Sequence, residues 1–186
     1  MKKNKKALLI VDMINDFRHE DGDKLFRQVR SIVKNIAALK RRATAADVPV
    51  VYVNDNFKKW HDSFATTIGH VHESSEEGRQ MIETLLPGPT DYYILKPHRS
   101  GFYKTPLSIL LGELGTDELI IAGAATDMCV FSTAHDAHMR DYKLRVPRDC
   151  TTANTNKHRH QALDLMARVL DADTSPSKTI IFKKNA

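Results

Sequence analysis

Cysteine is scarce in this chain: 186 residues hold only Cys129 and Cys150. Two thiols do not build a disulfide framework, which excludes a small cross-linked secreted scaffold. A reducing cytoplasm is the expected compartment, and it leaves a thiol free to work. No apolar run approaches the ~20 residues that span a bilayer, so a membrane role is not expected. The basic start leads into ALLIVDMI, too short and too soon acidic for a signal peptide. Zinc-ligand spacing and an aromatic RNA-binding signature are also missing. The formal charge of +5 sits partly in Lys2, Lys3, Lys5, Lys6, Lys183 and Lys184, the pattern of solvated tails, so nucleic acid is not an expected partner. There is no internal repeat, low-complexity stretch or interdomain linker. What is there is ordinary for a globular protein, 41% hydrophobic and 27% charged residues, with length enough for one domain over 1–186.

Strand-like apolar runs alternate with helical patterns. Strands are predicted at 7–11, 50–53, 92–95, 118–122 and 143–146, with a sixth at 179–182. A helix over 24–47 follows from the spacing of Leu25, Val29, Ile32, Val33, Ile36, Ala37 and Leu39. Further helices are predicted at 76–86, 106–114 and 157–170, and one beginning at Cys129. Residues 55–75 read as a long polar loop bearing histidines and aromatics, a length that is commonly functional. Such alternation implies right-handed crossovers and an α/β fold with a parallel sheet covered on both faces. Ligands in such sheets bind beyond the carboxyl ends of the strands.

The segment 120–139, IIAGAATDMCVFSTAHDAHM, carries the most information. An apolar strand breaks at Gly123 into a small-residue turn, and Cys129 falls where a helix is expected to begin. Unpaired N–H groups and the positive end of the macrodipole favour thiolate there, and the thiolate is the nucleophile. Strand ends supply its partners: Asp12 follows the first strand and Lys96 the third. Taken singly, Asp12 reads equally as a cap, Lys96 as a rim charge and Cys129 as packing. Together they read as a nucleophile, a base that takes the thiol proton, and a cation favouring both charged forms. The backbone N–H groups of 123–128 lie beside the nucleophile, where an oxyanion needs donors.

Three ordered motifs, LLIVDMINDF, LKPHRSGFYKTPL and IIAGAATDMCVFSTAHDAHMRDYKLRVPRDC, resemble the isochorismatase-like cysteine hydrolases over about residues 6–170. That family includes nicotinamidases, carbamoylsarcosine and ureidoacrylate amidohydrolases, and isochorismatase. The resemblance implies a Rossmann-like three-layer α-β-α fold with six parallel strands in the order 3-2-1-4-5-6. It implies an Asp12–Lys96–Cys129 triad and a cis non-proline peptide at Ala124–Ala125. In that arrangement the N–H groups of Ala125 and Cys129 form the oxyanion hole. A homo-oligomer, dimer or tetramer, is implied too.

Nicotinamidases carry Asp-x-His after the second strand to bind a metal, whereas here Asp55 is followed by Asn56 and Phe57. His61, His70 and His72 remain, but no metal and no cofactor is expected. The expected activity is metal-independent hydrolysis of an amide, carbamoyl, ureido or lactam C–N bond in a small molecule. Phe17, Asn54, Trp60, Phe102 and Met128 are the expected substrate contacts. Asp55, Asp62, Glu73, Glu76 and Glu77 would suit a cationic substrate. Asp16 is expected to brace its turn, Arg148-Asp149 to end the fifth strand, and Cys150 to pack. The alternatives are a vinyl-ether hydrolase of the isochorismatase type, which does not need Cys129, and a silent binding module of the same fold.

Overall fold

The structure, a computed structural model, describes residues 5–182. Lys2, Lys3, Lys183 and Lys184 therefore lie outside the described residues. The chain opens with β1 (Lys6–Val11), followed by α1 (Gly22–Ala45), β2 (Val50–Asp55), α2 (Phe64–Ser74) and α3 (Glu76–Leu85). Next come β3 (Tyr92–Lys96), α4 (Leu107–Glu113) and β4 (Glu118–Ala124). A π-helical turn at Thr126–Val130 runs into α5 (Phe131–His138), and β5 (Lys143–Arg145), β6 (Thr151–Thr152) and α6 (Asn156–Val169) complete the set.

All strand pairs are parallel, in the order β3-β2-β1-β4-β5, with β6 also on β4. β1 and β4 read as unbroken apolar runs because helices cover both faces of the sheet. Side chains alternate between those faces. Leu8, Ile10, Tyr52, Ile120 and Ala122 share one core with Leu25, Val29, Ile36, Met81 and Leu85 of α1 and α3. Ala7, Leu9, Val11, Leu119 and Ile121 share the other with Leu107, Ala134, Leu163 and Met166 of α4, α5 and α6. This is the expected three-layer architecture.

Two expectations change. The predicted strand at 179–182 is absent. Ser177–Thr179 is instead a short 3₁₀ turn, held by Asp149, whose carboxylate accepts from Ser177 N–H at 2.7 Å and Ser177 Oγ at 2.8 Å. The sixth strand is Thr151–Thr152, and it does not lie outside β5. β5 covers only Glu118–Ile120 of β4, and Pro147 then brings a residue with no N–H to donate. The chain returns to the same flank at Gly123 and Ala124, where β6 pairs. The second change concerns 55–75, most of which is helix. Ser63 Oγ caps α2 through Thr66 N–H and Ser75 Oγ caps α3 through Gly78 N–H.

The glycine at the end of β4 is fixed by space. Gly123 has φ +119°, and a Cβ there would stand 2.1 Å from the carbonyl oxygen of Val11. Only a residue without a side chain lets β4 run this close to the end of β1.

Candidate active site

The strand order reverses between β1 and β4, the place at which this architecture leaves a crevice, and the Lys96 side chain reaches it from the end of β3 beyond β2. Asp12 stands one residue past β1 in the left-handed region, φ 51°, which costs an ordinary residue about 1–2 kcal/mol. Its N–H still donates to Val53 O at 2.9 Å, so the residue is held by the sheet. Its Oδ1 accepts from the Asp55 N–H at 2.7 Å, and its Oδ2 lies 2.9 Å from Lys96 Nζ. Lys96 closes β3 with its side chain fully buried, and its ammonium also donates to Cys129 Sγ at 3.4 Å. Thus the three strand-end residues form one contiguous cluster around a buried ammonium.

Cys129 belongs to the π-helical turn, and the helical path starts at Thr126, three residues earlier than expected. π-Helical turns of this kind recur at functional sites. The Ala125 carbonyl accepts from both Met128 and Val130 N–H, and the Ala124–Ala125 peptide is cis. Thr126 Oγ1 and Thr151 Oγ1 are 2.9 Å apart, and Thr151 Oγ1 donates to Gly123 O at 2.9 Å. This buried hydroxyl chain ties the turn to β6.

Electrostatics set the resting proton positions. Burial pushes the Cys129 thiol up to about 12, the Asp12 carboxylate adds to the rise, and Lys96 pulls against both. The expectation that helix start and lysine would favour a resting thiolate is therefore corrected: desolvation wins, and sulfur rests as a thiol. Burial likewise holds Asp12 above the usual carboxylate range, against Lys96, which makes it a better proton acceptor. For Lys96 burial acts downward, but Asp12, Cys129 and Asp55 outweigh it and keep the ammonium charged.

The expected substrate contacts divide. Phe17 is buried in the α1 core, 5.1 Å from the Phe26 ring, and its edge lines a polar cleft between Arg18 and Glu73. Phe102 is buried in the other core beneath Arg140 and Tyr142. Asn54 is buried as well, and its amide is committed: Oδ1 accepts from Ile14 N–H at 3.1 Å while Nδ2 donates to Ile14 O at 2.9 Å. It braces the turn after Asp12. Met128 is exposed beside the nucleophile, and Trp60 is 74% exposed. His61, His70 and His72 are all exposed, with His70 Nε2 3.6 Å from Asp16. Among the described residues no three His, Cys, Asp or Glu side chains are grouped to hold a metal, so these donors do not fit the nicotinamidase arrangement. Asp16 Oδ1 accepts from Arg18 N–H and Cys150 is fully buried, both as expected.

Asp55 is the member that sequence reasoning left among loop acids. It is the last residue of β2, in register with Lys96, and its Oδ2 lies 3.7 Å from that ammonium. Its position at a second-strand end was the available signal.

Comparison with known proteins agrees with the geometry. The Isochorismatase domain family matches residues 6–174. An uncharacterized isochorismatase family protein of Bacillus subtilis (strain 168), YaaI, is 37% identical over 185 residues, covering 98% of this chain and 100% of that one. The ureidoacrylate amidohydrolase RutB of Enterobacter sp. (strain 638) is 29% identical over 173 residues, covering 78% and 74%. Among solved structures, N-carbamoylsarcosine amidase from Thermoplasma acidophilum superposes with a TM-score of 0.73 at 28% identity, covering 95% of this chain and 98% of that one. The domain match takes in all six strands and every residue of the buried cluster: this chain belongs to the isochorismatase family.

Proposed function

We propose that this chain is a cysteine hydrolase that opens a C–N bond of a small molecule, an amide, carbamoyl, ureido or lactam, through a thioester acyl-enzyme. The observation that carries the reading is the fully buried ammonium of Lys96, in contact with Asp12 Oδ2 at 2.9 Å and Cys129 Sγ at 3.4 Å. Moving the thiol proton to Asp12 shifts the negative charge from one neighbour of that ammonium to the other. At an effective dielectric of about 20, attractions across those two distances differ by less than about 1 kcal/mol. The ammonium therefore supports either location of the charge almost equally, while burial of the sulfur sets the cost of moving the proton.

As Sγ attacks the carbonyl carbon, Asp12 takes its proton, and the carbonyl oxygen gains the negative charge. In this reading the N–H groups of Ala125 and Cys129 receive that oxyanion. Collapse breaks the C–N bond, and Asp12 returns the proton to the leaving nitrogen. A water then gives a proton to Asp12 and attacks the thioester, releasing the acid and restoring the thiol. The named activities of the RutB and N-carbamoylsarcosine amidase relatives support this bond class.

The test is ammonia or amine release by folded Cys129→Ala and Asp12→Asn proteins. Both are expected to lose turnover by at least about a hundredfold, the lower end for general-base loss. Turnover surviving both changes overturns the mechanism. Trapping a Cys129 adduct of acyl mass in the wild-type protein is the direct positive result.

A further inference from the structure

The charges around Sγ do not cancel. Asp12 and Asp55 bring two carboxylates against the single ammonium of Lys96, and Cys129 adds nothing as a thiol or a further negative charge as a thiolate. Either way the cluster is net negative. Solvent meets that excess on one group: the Asp55 side chain is 41% exposed, against 12% for Asp12 and none for Lys96.

Asp55 is also held in place. Its Oδ1 accepts from Phe57 N–H at 2.6 Å, within a turn where Phe57 and Lys58 both take left-handed φ, 50° and 60°. The buried Asn56 fixes that turn: its N–H donates to Lys96 O at 3.1 Å and its Oδ1 accepts from Lys58 N–H at 3.0 Å. The other oxygen, Oδ2, accepts no hydrogen bond among the described residues and stands 3.7 Å from Lys96 Nζ, past hydrogen-bond range. Lys58 and Lys59 are exposed nearby, and among the described residues neither forms an ion pair with Asp55. Oδ2 and Sγ neighbour the same nitrogen, so they are no more than about 7 Å apart.

We infer that Asp55 is the specificity residue of this site, and that the substrate carries a cationic group, an ammonium or amidinium, within a few bonds of the scissile carbonyl. A carboxylate at that place would face Asp55 and be rejected. The inference rests on Cys129 being the attacking atom, as proposed above. It replaces the wider set of acids read from the sequence: Glu73, Glu76 and Glu77 line a separate polar cleft with Arg18 and Arg79.

The experiment uses two methanethiosulfonates of opposite charge, the trimethylammonium-ethyl and sulfonatoethyl reagents. Each converts Cys129 to a mixed disulfide and releases methanesulfinate, and peptide mass mapping separates Cys129 from Cys150. Both reagents consume the same thiolate, so the ratio of their rates, normalised to 2-mercaptoethanol, cancels any change in the reactivity of Cys129 itself. In wild-type protein the ratio is expected to favour the cation by roughly tenfold or more at low salt, and to shrink as salt rises. Asp55→Asn keeps an acceptor for Phe57 N–H and is expected to bring the ratio close to one, while Asp62→Asn leaves it unchanged. A wild-type ratio near one, or a ratio untouched by Asp55→Asn, overturns the inference. Glycinamide and succinamate then give the turnover comparison. Charge-selective labelling with ammonia release that survives Cys129→Ala overturns the proposed mechanism and leaves the electrostatic assignment standing.

Discussion

Replacing Asn54 with leucine removes two hydrogen bonds to Ile14 and a longer one to the Asp55 carbonyl, at 3.3 Å, while nearly keeping the side-chain volume. The amide holds both backbone groups of Ile14, N–H at 3.1 Å and C=O at 2.9 Å, and Ile14 is fully buried, so water cannot take over either bond. A buried donor or acceptor left unpaired costs about 1–3 kcal/mol, so stranding the two Ile14 groups is expected to cost about 2–6 kcal/mol. For a domain of this size each kcal/mol moves the melting temperature by about 2–4 °C, which gives a fall of roughly 4–24 °C. Thermal melts with urea titrations measure it. Asn54→Asp refines the test, because it keeps the acceptor and places a carboxylate oxygen against Ile14 O. Its carboxyl is then expected to titrate above the ordinary range in the fold. Protonation restores a donor, so the deficit should shrink as pH falls and grow as pH rises through that value. Turnover should drop mainly in kcat, since the clamped turn aims Asp12 two residues before Ile14. If Asn54→Leu melts within about 2 °C of wild type and changes only KM, the amide serves the substrate and not the backbone, and the reasoning is refuted.

The pH dependence of Cys129 alkylation by iodoacetamide should have its midpoint near about 12 in wild type, since burial and Asp12 both raise the thiol. Asp12→Asn removes a raising charge and should move that midpoint down even as turnover is lost, whereas Lys96→Met should move it further up; the same direction for both would contradict the charge assignment. Cys129 should label far faster than Cys150 at any pH, because Cys150 is fully buried. Gly123→Ala is expected to abolish soluble folded protein, given a Cβ 2.1 Å from Val11 O, and recovery of a normal melt would refute the packing argument. Tyr52→Phe leaves the Leu85 carbonyl, a 2.6 Å partner, without its donor, and should cost about 1–3 kcal/mol in urea titrations without altering Cys129 labelling.

Sequence reasoning reached some of these groups and not others for physical reasons. α1 was legible because its apolar residues repeat at helical spacing over 24 residues. Asp12, Lys96 and Cys129 were legible because strand ends of a parallel sheet converge, so position along the chain stood in for position in space. β6 was not, since two threonines carry no periodicity, and the strand exists because β5 leaves half of β4 unpaired. α2 escaped notice because its buried residues are only Phe64, Thr67 and Val71, among histidines and a glycine. Phe17, Phe102 and Asn54 stand near strand ends, as their sequence positions indicate, but proximity to a strand end does not say which way a side chain turns: Phe102 packs into a core and the Asn54 amide binds Ile14. Asp55 was overlooked because the polar stretch after it made the end of β2 look like loop.

The broken flank of β4 has a consequence for motion. The amide of Gly123 is paired to Cys150 O at 2.9 Å, so its hydrogen does not report on the pairing of β1 with β4. Deuterium exchange there measures how often residues 147–152 lift away, and the hydroxyl chain through Thr126 carries that opening to the turn that bears the sulfur. A two-rung strand thus helps to fasten the turn that bears the sulfur, and one backbone amide serves as its gauge.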